Sequence, residues 1–357
     1  MTDPAYPFAR VTAARIHEHF ARLLRHVAEP PPLADLATLE AILDVAFWAS
    51  LRREEGHSPR VSLAVLPPER LNSPLLLSRP VTLSPLALTR VAPAVDRPGI
   101  HLGVWPHHDE VAMWGTTHHL PPYCLVLEIV TPGLLVVKYS RHEATGKFVN
   151  IAVLEGDQLK VIDQKAASQP DCPSILTPLL GLQSQFQSGA SAGTLIQLAV
   201  SMRQHGRGGT LLLVPSVGTE TWRESILSPT TYAVAPGFAT LPNQRDIDGV
   251  AGLTATDGAT ILNDQFEVLA FGAKIVRRRG SPVVSQVTLT EPIEGSTPSV
   301  VEPSQLGGTR HISAAQFTHD QRDALAMVAS QDGRFTLFGW SPCEDMVHAR
   351  RVETLLL

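Results

Sequence analysis

The stretch from Asp257 to Ile275, DGATILNDQFEVLAFGAKI, constrains the surrounding fold more than any other in the chain. Ala259 and Ile261, then Val268 and Ala270, recur at every second position, the period of a strand with one face buried. Asn263-Asp264-Gln265 between the two runs is turn chemistry, because short polar side chains bond their own backbone. The expectation is a β-hairpin. Asp257 sits on a turn just before it, where a carboxylate can meet a metal or a hydroxyl. Gly258 allows close backbone approach at the same point. Taken alone, an Asp-Gly pair before a strand is an ordinary turn.

A second stretch, Gly307-Gly308-Thr309-Arg310-His311, precedes a helix-like run from Ser313 to Ala326. Free N–H groups, the positive end of a helix dipole and a guanidinium in one place make an anion site. The same residues are also compatible with a capped helix bearing a surface arginine. A third stretch, Ala324 to Phe338, reads as a buried strand, the polar turn Ser330-Gln331-Asp332-Gly333, and a returning strand.

In this order the three stretches, D-G-A, G-T-R-H and S-Q-D-G-R-F-T-L-F, resemble the diadenylate cyclase (DAC) domain. They are more closely similar to its nucleotide-sensor relatives of the DACNV type. The resemblance runs from about Thr194 to Trp340, and takes in a helix at Leu195-Ala199 and a strand at Thr210-Pro215. It implies a nucleotide or cyclic dinucleotide site in a bacterial signalling protein. In the cyclases the aspartate of D-G-A assists metal binding and activates a ribose hydroxyl, and the R-H element holds phosphates. By position these roles fall on Asp257, Arg310 and His311. Gly258, Ala259, Gly308, Thr309 and Ser330 would line the same pocket, and Asp257 with Asp332 would be the metal carboxylates. No cofactor is expected beyond Mg²⁺ or Mn²⁺ accompanying a nucleoside triphosphate.

Departures from the pattern weigh against catalysis. The cyclases carry a second arginine where this chain has Ile312, and paired glutamates where it has Gln331 and Asp332. A transferring phosphoryl group needs such cations and metals, and removing one stabiliser typically costs ~10²–10³ in rate. The chain keeps residues that bind and lacks residues that catalyse. A nucleotide sensor reporting to an effector protein is the leading expectation. The alternatives are a divergent cyclase making cyclic di-AMP from two ATP across a homo-oligomeric interface, and a scaffold with a vestigial site. A polar insert, Glu291 to Gly307, is expected to reshape the pocket.

At 357 residues and 44% apolar the chain is long enough for two domains with real cores. Its net charge of −5 supplies no basic field for a nucleic-acid polymer. Arg277-Arg278-Arg279 reads as a solvated strand end. Cys124, Cys172 and Cys343 are far apart, which suggests neither a zinc knuckle nor a disulfide framework. MTDPAYPFAR lacks a signal pattern, the C-terminus lacks a lipidation motif, and no apolar run approaches 18 residues, so a soluble cytoplasmic protein without membrane contact is expected. His107, His108, Asp109, His118 and His119 read as loop-tip residues rather than a metal site, since adjacent histidines on a strand face opposite ways.

The fold expected is α/β: a mixed, twisted sheet flanked by helices, DAC-like, at 194–357. A smaller N-terminal α+β domain at 1–164 and a linker at 165–193 would precede it. The N-terminal part has helices at 11–27 and 36–53 and mostly strands from 71 to 163, and the chain closes on an amphipathic helix from Met346 to Leu357. Glu110 to Gly115 echoes Glu267 to Gly272, which admits a degenerate copy in the first half. Generic α/β patterns also account for so short an echo.

Overall fold

The computed structural model describes residues 5–25, 27–140, 148–163, 190–216, 221–227, 231–235 and 243–357. The chain divides into two compact units, Met1–Ile162 with Leu357, and Asp163–Leu356. The linker expected at 165–193 lies, up to residue 189, outside the described residues. Among the described residues no helix is long and apolar enough to cross a membrane.

The first unit contains α1 (Ala9–Leu24), α2 (Leu36–Ser50), β1 (Val61–Val65), β2 (Leu75–Thr82), α3 (Pro85–Val95), β3 (His101–His107) and β4 (Glu110–Thr117). It continues with β5 (Leu125–Thr131), β6 (Leu134–Ser140), β7 (Phe148–Glu155) and β8 (Gln158–Val161). The strands form one mixed sheet in the order β2-β4-β3-β1-β5-β6-β7-β8. Alternation along β1 explains its two contacts. Leu63 and Val65 join the core formed with the helices, whereas Ala64 and Leu66 pack with Trp114 and Cys124 on the other face. Helix α2 begins where Asp35 accepts a hydrogen bond from the Thr38 N–H at 2.8 Å, an N-cap.

Helix α3 corrects the expectation of mostly strands in this region. Ser84 caps it by accepting from Ala87 N–H, Pro85 occupies its first turn, and Leu88, Thr89, Ala92 and Val95 are its buried face. Pro93 inside the helix and the shortness of the run mask the helical period. The readable signal was the Ser-Pro start.

The second unit contains α4 (Ala190–Gln204), β9 (Gly209–Val214), β10 (Ile226–Leu227), β11 (Tyr232–Ala233), α5 (Gln244–Leu253), β12 (Ala259–Asn263) and β13 (Val268–Ile275). After these come β14 (Val287–Thr290), β15 (Ser299–Val301), α6 (Pro303–Leu306), α7 (Thr309–Asp320), β16 (Leu325–Ala329), β17 (Phe335–Ser341) and β18 (Met346–Arg351). Its mixed sheet runs β10-β13-β12-β9-β16-β17-β18-β14-β15, with β11 also on β13. Both faces are covered. Leu211 and Leu213 pack with Leu198, Met202, Ile247 and Val250 of α4 and α5, and Leu212 and Val214 pack with Ala314 and Phe317 of α7. Burial on both faces is why β9 and β16 are buried at every position and mostly apolar. The α/β expectation holds.

Two element expectations are corrected here. The helix after G-T-R-H ends at Asp320, not Ala326: Gln321 leaves helical geometry while its N–H still reaches Phe317 O, and the following apolar run is claimed by the sheet as β16. The expected last helix is instead β18, followed by a single 3₁₀ turn at Glu353–Leu355. β18 lies between β17 and β14 and hydrogen-bonds to both. Sheet pairing on two sides outweighs the helical spacing of Val347, Val352 and Leu355.

Seven strands of each unit run in the same order and the same relative directions: β2-β4-β3-β1-β5-β6-β7 and β10-β13-β12-β9-β16-β17-β18. Helices precede the matching strands, α2 before β1 as α4 before β9, and α3 before β3 as α5 before β12. The sequence echo falls on β4 and the start of β13, which correspond. The units differ after these strands. Residues 118–124 join β4 directly to β5, whereas 276–324 between β13 and β16 hold β14, β15, α6 and α7. The G-T-R-H helix therefore belongs to the second unit alone.

Candidate functional site

Strand register sets the floor of the site. Ala273, Ala259, Thr210 and Val328 align across β13, β12, β9 and β16. At this end of the sheet lies a cleft of about 670 Å³, and its lining includes Asp257, Gly258, Ala259, Gly308, Thr309, Arg310, His311, Ser330 and Asp332. All nine residues singled out in the sequence thus meet at one cleft, although they come from three stretches up to 75 positions apart. Ile312 is exposed and is not part of the lining.

The D-G-A turn is held by close backbone packing. Gly258 has φ +120, and a Cβ there would meet the Gly272 carbonyl carbon at 2.5 Å. The hairpin carries a register shift between Ala259 and Ile261, and its turn is tied by Asn263 Oδ1, which accepts from Gln265 and Glu267 N–H. The approach of these two backbones leaves Asp257 exposed on the cleft rim, where it pairs with Lys274 of β13. A hydrogen bond from Lys274 and its charge, with a smaller contribution from Arg310, hold the Asp257 carboxyl below its ordinary value.

Opposite stands the start of α7. Gly308 is its N-cap, so no side chain caps this end, and the first turn has no acidic residue. The positive end of the helix is left open to an anion. Gly307 provides room for the His311 ring, because a Cβ there would lie 2.4 Å from His311 Nδ1. His311 is buried, packs edge-on to Phe338 at 6.1 Å, and its buried Nε2 has no hydrogen-bond partner among the described residues. Burial, then the positive charge of Arg351, pushes His311 down to about 4, so it is neutral near neutral pH. Arg310 has no hydrogen-bonded or ion-paired side-chain partner among the described residues; its Nη1 lies beside Gly208, where a Cβ would meet it at 3.0 Å.

The third wall is the β16–β17 turn. Ser330 donates to the Asp332 carboxylate, and Arg334 Nε lies 3.5 Å from it. Burial opposes ionisation of Asp332, but the Ser330 bond and the Arg334 charge outweigh it and hold the carboxyl below its ordinary value.

A divalent metal fits this donor set poorly. Among the described residues no group of three or more His, Cys, Asp or Glu is placed to hold a metal ion. The two carboxylates on the cleft, Asp257 and Asp332, are both already engaged by cations. Elsewhere, Arg278 pairs with Glu224 at 2.7 Å and donates its N–H to Asp320, and no residue of 277–279 lines the cleft.

Residues 28–118 match the family model of the probable sensor domain DACNV. That match spans α2 through β4, in the first unit, whereas the motifs that suggested the likeness lie in the second. No curated protein sequence is similar to the chain at a significant level. Among solved structures, the chain is similar to a double mutant of DacA from Staphylococcus aureus, with 16% identity over 45% of this chain and 85% of that one, at a TM-score of 0.29. It is also similar to a hypothetical membrane spanning protein from Bacillus cereus, with 15% identity over 44% of this chain and 62% of that one, at a TM-score of 0.28. At such scores the architecture is read from the strand order itself. The DACNV match covers β1 to β4, four of the seven strands that the two units share, and ends at the connection where the second unit carries its G-T-R-H helix.

The sequence reasoning missed Thr210, Ala273 and Lys274 as lining residues. The available signal for Lys274 was a lone charge inside the apolar strand VLAFGAKI. Thr210 and Ala273 had none, since only register places them.

His311 and, in the first unit, His101 are both buried and both pushed down to about 4, for His101 by burial and then by Lys138. Their unfolded value is near 6.5. Between those values the unfolded chain binds more protons, so stability is present above pH 6.5 and is lost as pH falls towards 4. A loss of roughly 2 kcal/mol per histidine is expected between pH 7 and pH 5. Urea unfolding at the two pH values checks this. A slope unchanged in His101→Gln and in His311→Gln would show that these groups do not carry it.

Proposed function

We propose that the second unit is a nucleotide-binding sensor module. Its cleft would hold the phosphates of a nucleotide or cyclic dinucleotide between the D-G-A turn and the start of α7. The observation that carries this reading is the convergence of three sequence-distant stretches on one open cleft whose guanidinium, Arg310, has no bonded side-chain partner among the described residues. An unpaired guanidinium beside an uncapped helix start favours a planar or tetrahedral oxyanion, and Arg can grip it bidentately. The DACNV match in the first unit supports a sensing role. The test is thermal melting against mono-, di-, tri- and cyclic dinucleotides, where a bound ligand at about 100 times its dissociation constant adds ~2.7 kcal/mol of stability. No shift with any of them would leave a scaffold as the better account.

The cyclase reading draws on Asp257, which lines the cleft. Against it stand the exposed Ile312 in place of a phosphate-gripping arginine and carboxylates already engaged by cations. Protein incubated with ATP and Mn²⁺ is expected to give no cyclic dinucleotide above background by chromatography. Clear product would defeat a sensor without catalysis.

A further inference from the structure

We propose that Lys274 supplies the counter-charge that a divalent cation would otherwise bring, so that this cleft takes its phosphate-bearing ligand without metal. The proposal rests on the nucleotide-site reading above and names the charge chemistry of that same site.

Three observations carry it. The first is the Lys274–Asp257 pair. Ala273 pairs with Ala259 across the hairpin, and Lys274 and Asp257 flank that rung. The ammonium is thus delivered by strand register. It has three donors, of which one serves Asp257 and two remain for ligand oxygens. The second is the donor set. Mg²⁺ is usually held by one or two carboxylates with open oxygens plus ligand phosphates. Here Asp257 Oδ2 is paired with Lys274, and the Asp332 carboxylate accepts from Ser330 and lies beside Arg334, so the charge of each acid is already met by a protein cation. The third is the lining itself: Lys274 of β13 and Arg310 at the start of α7 both line the cleft, and Arg310 has no bonded side-chain partner among the described residues. Lys274 and Arg310 then offer a phosphate two cations in the cleft that the start of α7 also lines.

The test is calorimetric titration of the whole chain with ATP and with cyclic di-AMP, each in Mg²⁺ and in EDTA. At least one probe is expected to bind equally well in both. Lys274→Met should then weaken that binding about tenfold or more, as loss of a charge-assisted contact does, and Lys274→Arg should restore most of it. Asp257→Asn should tighten binding several-fold, because it removes a negative charge next to the phosphate and frees the ammonium. Binding that requires Mg²⁺ and collapses in Asp257→Asn would mean a metal-bridged ligand; the Lys274 role would fall while the nucleotide site would stand. No binding of either probe in either condition would overturn the site reading and, with it, the role of Lys274. Lys274 is partly exposed, so its variants should fold, and thermal unfolding of the free proteins verifies that.

Discussion

Arg310→Ala should lower nucleotide affinity by about 1.5–3 kcal/mol, or roughly ten- to 150-fold, and erase the ligand-induced rise in melting temperature. The size follows from the surroundings. The guanidinium has no bonded side-chain partner among the described residues, so its loss orphans no neighbour. The effect should therefore fall on ligand binding and leave the free protein nearly as stable as before. Its charge is already felt across the cleft, where it contributes to the lowered Asp257 carboxyl. Titration calorimetry of the variant against whichever nucleotide shifts the wild type is the measurement. Unchanged affinity would remove Arg310, and the start of α7 with it, from the binding site.

Gly258→Ala should destabilise the second unit by roughly 3 kcal/mol or more. Two effects add. A φ of +120 is a conformation that L side chains rarely adopt, and the new Cβ would lie 2.5 Å from the Gly272 carbonyl carbon, 2.7 Å from its oxygen and 2.9 Å from Ala273 N. These are backbone atoms of the neighbouring strand, so relief requires the hairpin to open. Gly308→Ala is the matched control. That residue has φ −76, and an added Cβ meets nothing within 4 Å, so a change within about 1 kcal/mol is expected. Urea unfolding of the two variants separates a turn that needs glycine for packing from a helix cap that does not. Equal and small effects would show that the D-G-A turn is not held as tightly as the strand register implies.

The parts of this molecule that could be read without its structure are those fixed by neighbours along the chain. Alternation at Ala259, Ile261, Val268 and Ala270, with Asn263 closing the turn, specified the hairpin, because strand period and turn chemistry are properties of a few adjacent residues. The glycines before Thr309 announced a helix start for the same reason. Local reading failed where the sheet decided. Residues 346–351 became β18 because β17 and β14 offered hydrogen bonds on both sides, and residues 324–326 left the helical run because β9 and β17 flank that position. In the first unit α3 was hidden by its shortness and by Pro93 inside it.

The candidate site divides along the same line. The residue types were visible in the sequence: an acidic turn, an arginine and histidine at a helix start, and a serine and aspartate on a hairpin. That they share one cleft, that Lys274 meets Asp257, and that His311 is buried against Phe338 are consequences of strand register and layer packing. Which chemistry is present follows from the residue types alone, since each side chain carries its own charge and donors. Which charges neutralise one another and which stay available to a ligand is set by the folded chain, because that depends on distances between residues remote in the sequence.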